Sequence, residues 1–465
     1  MAQRHVIIGA GPAGMHAIEA IRRFQPEGSE IHLVCDEPAY ARMVLPYYIC
    51  GEVGEDHVLT ADDATLKRFG VTPHFGKRVV RVNPNERTVQ LDDGSTLQFD
   101  NLLIATGSSP ARPPIDGLDL PGVTTLWTLE DARRLIELTG PGKRVVFLGA
   151  GFIGFIVLNA LYKRRCDLTV IELQEHVLPR MLDREAAGLV ERWLADRGVR
   201  VRCGVQAERI EQIDNALRVR LSDGSALDAD CVVVATGVRP NVEFLRDSGI
   251  EINEGVLVNE RLQTNFPFIY AAGDCAEGID LLGGRGIHAI QPTAIEHGRV
   301  AGANMAGQEV VYEGSLSMNV LDVCGLHAAS FGRWAGDEDS VRLSNPARPV
   351  YRKYVFDGDR MVGAIILGPT SDVAHLADIG MVKGIIQTKV QLGPWKAYLK
   401  ESHPLDLRRP YAALGVAKIL LEKTVLPVPS EDAGYRPGNV QPDSERDKGP
   451  HHRVLAETFR KVFGK

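Results

Sequence analysis

From residue 5 to about residue 313, short runs of uniformly apolar residues alternate with segments of helical period, and glycines punctuate the junctions. The runs His5-Val6-Ile7-Ile8 and Arg144-Val145-Val146-Phe147-Leu148 lack a polar face, so they predict strands covered on both sides. Such strands alternating with helices predict doubly wound α/β units. Two later runs end alike. Asn101-Leu102-Leu103-Ile104 leads into Ala105-Thr106-Gly107, and Asp230-Cys231-Val232-Val233-Val234 leads into Ala235-Thr236-Gly237. The pattern is that of an internal duplication. Past residue 314 it changes. Tyr351–Phe356 and Met361–Leu367 predict strands joined at Asp357-Gly358-Asp359-Arg360, and helical periods follow at about 371–387 and 410–423, giving an α+β region. Pro427–Pro450 predicts a linker. His452–Phe463 predicts a short amphipathic helix with Leu455, Phe459, Val462 and Phe463 as its apolar positions.

Composition adds exclusions. The chain has 465 residues, 44% of them hydrophobic, enough for about two to four domains. Its net charge is −7 and no basic block tracks a phosphate backbone, which argues against nucleic acid as a partner. Val145–Tyr162 is apolar enough to imitate a membrane span, but its regularly spaced glycines indicate strand, turn and helix instead. The first strand begins near residue 5, so no signal peptide is expected and the cytoplasm is the expected compartment. The seven cysteines form no CxxC or CxxxxC pair and no zinc spacing, so reduced thiols and no metal are expected.

Two glycine fingerprints carry the chemistry. Gly9-Ala10-Gly11-Pro12-Ala13-Gly14 follows the first apolar strand, and Gly149-Ala150-Gly151-Phe152-Ile153-Gly154 follows its counterpart, 140 residues later. In such a turn the first glycine permits the bend and the second admits a pyrophosphate. The third allows close helix–strand packing, and the helix N-terminus faces the phosphates. Asp36 ends the next strand of the first unit, 22 residues beyond Gly14, and Glu172 ends that of the second, 18 beyond Gly154. Each is a candidate acceptor for ribose hydroxyls. Glu172 would also repel a 2′-phosphate, favouring NADH over NADPH. A third element, Ile269-Tyr270-Ala271-Ala272-Gly273-Asp274, runs a strand into a carboxylate that either meets a polyol or caps the next helix.

In this order and spacing, GAGPAG, the two Ala-Thr-Gly turns, GAGFIG and Ala-Ala-Gly-Asp resemble the FAD-dependent pyridine nucleotide–disulfide oxidoreductase superfamily, over about residues 4–425. The resemblance implies a glutathione-reductase-like arrangement of two doubly wound nucleotide-binding domains and a C-terminal α+β interface domain. The FAD domain would comprise 1–115 and 241–313. The NAD domain, 116–240, would be inserted into it. Residues 314–425 would form the interface domain, serving a homodimer or a larger complex, and 426–465 a linker and tail helix. It further implies that Asp274 takes the ribityl hydroxyls of FAD and that Val79 meets the adenine through its backbone. The FAD set would then be Gly9, Gly11, Pro12, Ala13, Gly14, Asp36, Arg42, Val79, Ala105, Thr106, Gly107, Gly273, Asp274, Thr293 and Ala294. The NAD set would be Gly149, Gly151, Phe152, Ile153, Gly154, Glu172, Thr236 and Gly237.

Two segments narrow the branch. Tyr40-Ala41-Arg42-Met43-Val44-Leu45-Pro46-Tyr47-Tyr48 is similar to a Tyr-x-Arg-x-x-Leu stretch of rubredoxin reductases, oxygenase-coupled ferredoxin reductases and the NADH-binding part of assimilatory nitrite reductases. Coenzyme A disulfide reductases have a catalytic cysteine where this chain has Met43, and a thioether forms no thiolate. Gln291-Pro292-Thr293-Ala294-Ile295-Glu296-His297-Gly298 resembles the start of the helix aimed at the flavin pyrimidine edge, with His297 a packed or surface residue rather than an acid or base. Many relatives carry a glutamate two residues after the last fingerprint glycine; here it is Ile156. The expected activity is hydride transfer from NADH to FAD, then electron transfer to a ferredoxin, rubredoxin or iron–sulfur subunit. Alternatives are an NADH oxidase using oxygen, a coenzyme A disulfide reductase-like enzyme, a thiol–disulfide enzyme using Cys50 or Cys275, and a redox-sensing binding protein.

Overall fold

The computed structural model describes residues 3–423. The linker and tail helix expected beyond 426 lie outside the described residues.

The first unit is a parallel sheet in the order Ile269–Ala271, Asn101–Ile104, Gln3–Ile8, Ser29–Cys35, Val71–Phe75. Its central strands are buried on both faces, which is why they read as continuous apolar runs. The second unit repeats the plan with Arg200–Cys203, Asp167–Glu172, Arg144–Leu148, Cys231–Val234 and Val123–Thr124. Each unit also carries a three-stranded antiparallel sheet, Val79–Asn83 to Thr96–Gln98 in one and Ala207–Ile213 to Ala226–Ala229 in the other. Even the first strand is anchored the same way. Arg4 N–H donates to the Asp100 carboxylate at 2.7 Å, and Arg144 N–H to that of Asp230 at 2.8 Å.

The apolar stretch 145–162 is strand, turn and the helix Phe152–Lys163. No helix among the described residues is long and apolar enough to cross a membrane.

The C-terminal region is a five-stranded antiparallel sheet, Met318–Val323, Leu326–Gly332, Arg360–Pro369, Val350–Asp357, Ser340–Asn345. The expected hairpin closes through Gly358, whose φ is +56°. The hairpin Met318–Gly332 was not evident in the sequence. The helix expected at 371–387 is Val373–Thr388. The one expected at 410–423 is two helices, Arg408–Ala413 and Val416–Glu422, broken where Gly415 takes a left-handed φ of +63°. One face of this sheet shares a hydrophobic cluster with the second unit, where Val323, Leu326, Tyr351 and Leu367 meet core residues such as Leu158 and Leu189. Several polar contacts fasten that seam, among them two from the helix Arg184–Ala195 and its cap. Asp183 caps the helix Arg184–Ala195 and accepts from Tyr351 Oη at 2.6 Å, and Trp193 Nε1 donates to the Val323 carbonyl at 3.0 Å.

Candidate functional site

Both fingerprints fold into strand–turn–helix, and the two turns make the same contacts. Gly9 and Gly149 have φ of +106° and +103°, and their N–H groups donate to Val34 and Ile171 carbonyls, each at 2.8 Å. A Cβ on either would overlap a carbonyl oxygen at the end of the neighbouring strand, Ala105 or Ala235. A Cβ on Gly14 or Gly154 would overlap the carbonyl oxygen of Gly9 or Gly149. Glycine at these four positions is thus demanded by backbone packing. Gly11 and Gly151 differ: a Cβ on them meets nothing within 4 Å. Each begins a helix, Pro12–Phe24 or Phe152–Lys163, that has no side-chain cap. The first-turn N–H groups, Ala13 onward after Pro12 in one helix and Phe152 and Ile153 in the other, present the positive dipole end to an anion.

The strand-end acids are not equivalent. Ile8 pairs with Val34 and Leu148 with Ile171, so the counterpart of Glu172 is Cys35, and Asp36 lies one position later. Asp36 is half-exposed and pairs with Arg78 at 2.6 Å, beside Val79, which opens its strand. Glu172 is 8% exposed and turned back under its fingerprint. It accepts from Ala150 N–H at 2.6 Å and Gln174 N–H at 2.8 Å.

Each Ala-Thr-Gly turn is bound by a residue that follows one of the two linkers between the units. Asn241 Nδ2 donates to the Thr106 carbonyl at 2.9 Å, Thr106 Oγ1 donates to the Asn241 carbonyl at 2.8 Å, and Asn241 N–H donates to Gly107. In mirror fashion Ala111 N–H donates to Gly237 at 2.8 Å and Thr236 Oγ1 to the Ala111 carbonyl at 3.2 Å. Between them the linkers Ser108–Pro110 and Val238–Pro240 pair as antiparallel strands.

The late segments come to the first fingerprint. The helix Gln291–Met305, uncapped at Ile290, crosses Pro12–Phe24 so closely that a Cβ on Gly298 or Gly302 would overlap the Ala13 or Ala17 carbonyl. Gly273, with φ +79°, fits between Ala13 and Ala294, and Thr293 is buried in the same first turn. Asp274 accepts from Ser108 Oγ at 2.8 Å. Burial pushes its carboxyl pKa up, opposed by the Ser108 hydroxyl and the Arg42 charge. His297 is 2% exposed. Its Nδ1 faces Gly273 N–H at 3.4 Å and its Nε2 faces Ser315 Oγ at 3.3 Å. Burial holds it neutral, with a pKa lowered to about 3, so it is a packed residue behind the turn.

Arg42 stacks over the Tyr40 and Trp127 rings, 5.2 and 5.5 Å from their centroids, and pairs with Glu37 at 2.8 Å. Trp127 Nε1 donates to the Ser108 carbonyl at 2.8 Å. Ser108, Trp127 and Asn241 were not picked out from the sequence. Ser108 and Asn241 lie next to a repeated turn or linker, whereas Trp127 has no such neighbour in the chain. Met43 is 41% exposed beside Arg42.

All seven thiols are unpaired, and burial raises the pKa of each, to about 12 for Cys203, Cys231 and Cys324. None is a thiolate at neutral pH. No group of three His, Cys, Asp or Glu among the described residues could hold a metal ion. What the site offers is two open glycine turns, three uncapped helix N-termini and a half-buried carboxylate at Asp274. That donor and acceptor set fits two dinucleotides, one of them bearing a polyol.

The family model described as pyridine nucleotide-disulphide oxidoreductase matches residues 3–301. The one described as rubredoxin NAD+ reductase C-terminal domain matches 318–379. The chain is 31% identical over 399 residues to the epsilon subunit of NADH-dependent phenylglyoxylate dehydrogenase of Aromatoleum evansii, covering 85% of this chain and 94% of that one. It is 31% identical over 381 residues to the assimilatory nitrate reductase electron transfer subunit of Bacillus subtilis. That match covers 81% of this chain and 49% of the relative, so the chain spans about half that relative's length. Among solved structures it matches the covalent putidaredoxin reductase–putidaredoxin complex with a TM-score of 0.80 and 24% identity, over 89% of this chain and 99% of the matched one, a likeness of fold.

Proposed function

The chain belongs to the pyridine nucleotide-disulphide oxidoreductase family, and from that premise we propose that it passes electrons from NADH, through FAD, to an iron–sulfur or rubredoxin-type protein or subunit. One observation carries the reading: two turns of the same construction, each tied to a linker between the units, with Ser108–Asp274 on one side of the seam and Glu172 on the other. When bound, FAD supplies the conversion between the two electrons of a hydride and the single electrons an iron–sulfur centre accepts.

The chain's own residues do the holding. Gly9, Gly11, Pro12, Ala13 and Gly14 take the flavin pyrophosphate at a helix N-terminus. Asp36 and Val79 take its adenosine end, and Asp274, with Ser108, takes the ribityl hydroxyls. Thr293 and Ala294 would present a helix N-terminus to the ring, with Ala105, Thr106, Gly107 and Gly273 completing that side of the site. Gly149, Gly151, Phe152, Ile153 and Gly154 repeat the pyrophosphate site for NADH, beside Thr236 and Gly237. No thiolate is on hand to relay electrons internally, so they leave to another molecule. The rubredoxin-reductase-type C-terminal domain and the relatives' names as subunits support a protein acceptor. Residues 314–425 are proposed to provide the interface, with a second copy or with that acceptor. Seven unpaired thiols support a reducing compartment, the cytoplasm.

The test is an anaerobic titration of the purified yellow protein. NADH is expected to bleach the flavin rapidly and NADPH to bleach it slowly; a flavin that NADH leaves oxidised overturns the proposal. Glu172→Gln removes the charge that opposes a 2′-phosphate, so the preference for NADH is expected to narrow about tenfold, read as the ratio of the two apparent affinities.

A further inference from the structure

We propose that Trp127 is the positioning residue that seats the nicotinamide end of NAD(H) at the flavin site, offering it the face of an indole. The inference rests on the reading above. Position 156 is an isoleucine, half-buried on the helix Phe152–Lys163, and offers a nicotinamide no hydrogen bond. Trp127 lies where the two nucleotide units meet. Together with Pro110, Thr125, Ile153, Gly237 and Val238 it lines a narrow crevice at the second fingerprint.

The same residue is tied to the first site. Its indole N–H donates to the carbonyl of Ser108, whose hydroxyl holds Asp274. Its own carbonyl accepts from Arg42, whose guanidinium also stacks on its ring. Its backbone N–H donates to Asp131 at 2.9 Å, part of the capping box that starts the helix Leu129–Leu138. A ring held at its edge, its backbone and one neighbouring charge has little rotamer freedom left to lose on binding. A flat, rigid aromatic surface at that place suits a flat heteroaromatic ring. The polar edge of the indole is already spent on Ser108, so what it has left to offer is apolar surface.

The experiment compares Trp127→Ala, Trp127→Phe and Trp127→Leu with the parent flavoprotein. NAD+ affinity is measured by calorimetry, bleaching at saturating NADH by anaerobic stopped flow, and FAD content and melting temperature serve as controls. Trp127→Ala is expected to weaken NAD+ binding about tenfold and to slow bleaching by at least as much, with FAD still bound. Trp127→Phe is expected to recover most of both, and Trp127→Leu little. Unchanged NAD+ affinity and bleaching in Trp127→Ala overturn the inference, as does full rescue by leucine, which would reduce the role to volume. If the parent protein itself is not bleached by NADH, the functional reading fails. If the parent is bleached and Trp127→Ala matches it, only this inference fails.

Discussion

Gly149→Val is expected to give a protein that stays yellow but is not bleached by NADH, whereas Gly9→Val is expected to give a colourless one. The two substitutions are the same lesion placed in duplicate turns. Each puts a β-branched residue at φ above +100°, and each drives its Cβ into a backbone oxygen, Ala235 in one unit and Ala105 in the other. Backbone at the end of a buried strand cannot give way as a side chain would, so each turn must open, at a cost of about 3 kcal/mol or more. Absorbance per protein after purification reads the first site and anaerobic bleaching reads the second. Gly11→Ala and Gly151→Ala make the complementary pair. Their φ values are −75° and −82° and their Cβ atoms meet nothing, so the melting temperature is expected to hold while the matching nucleotide binds more weakly. A Gly149→Val protein that NADH bleaches at the parental rate would remove the second turn from the nucleotide path.

Stability is expected to fall by up to about 4 kcal/mol between pH 7.5 and pH 5, from two buried histidines. Burial lowers the pKa of His297 to about 3, with the nearby His288 adding to it. Burial lowers that of His375 to about 4, helped by Arg352 and His327 and opposed by Asp372. Unfolded, both titrate near 6.5, so below that pH the unfolded chain binds protons that the folded chain refuses. The stabilisation is complete above pH 6.5 and is lost progressively as the pH falls toward the folded values. Each histidine accounts for about 2 kcal/mol at pH 5. Asp274 and Asp378, whose carboxyl pKa values are raised by burial, act in the opposite sense and offset part of the loss. Urea midpoints at the two pH values measure the effect, and His375→Gln should remove about half of it. Equal midpoints in the parent protein would mean that both rings find acceptors when protonated.

Much of this molecule is local, and what is local was legible. A glycine fingerprint acts over about six consecutive residues, because strand, bend and helix start are neighbours in the chain. Both fingerprints, both Ala-Thr-Gly turns, Asp274 and Glu172 were therefore readable without a fold. So was the absence of a CxxC or CxxxxC pair, which is a matter of spacing, and of a thiol at position 43, where Met43 stands. Other features were set by contacts between residues far apart. The demand for glycine at 298 and 302 comes from a helix crossing with Ala13 and Ala17. The place of Asp36 relative to Glu172 comes from strand register, which makes Cys35 the counterpart of Glu172 and sets Asp36 one position later. Asn241 and Trp127 carry no signal of their own, being an ordinary linker amide and an ordinary aromatic until long-range hydrogen bonds bring them to the seam. The break at Gly415 lay hidden because helical period alone does not register a single left-handed residue. Sequence by itself determined which dinucleotide chemistry the chain can hold, since that depends on residue type at short spacing. Tertiary structure decided how the two sites face one another, since that depends on hydrogen bonds joining segments more than a hundred residues apart.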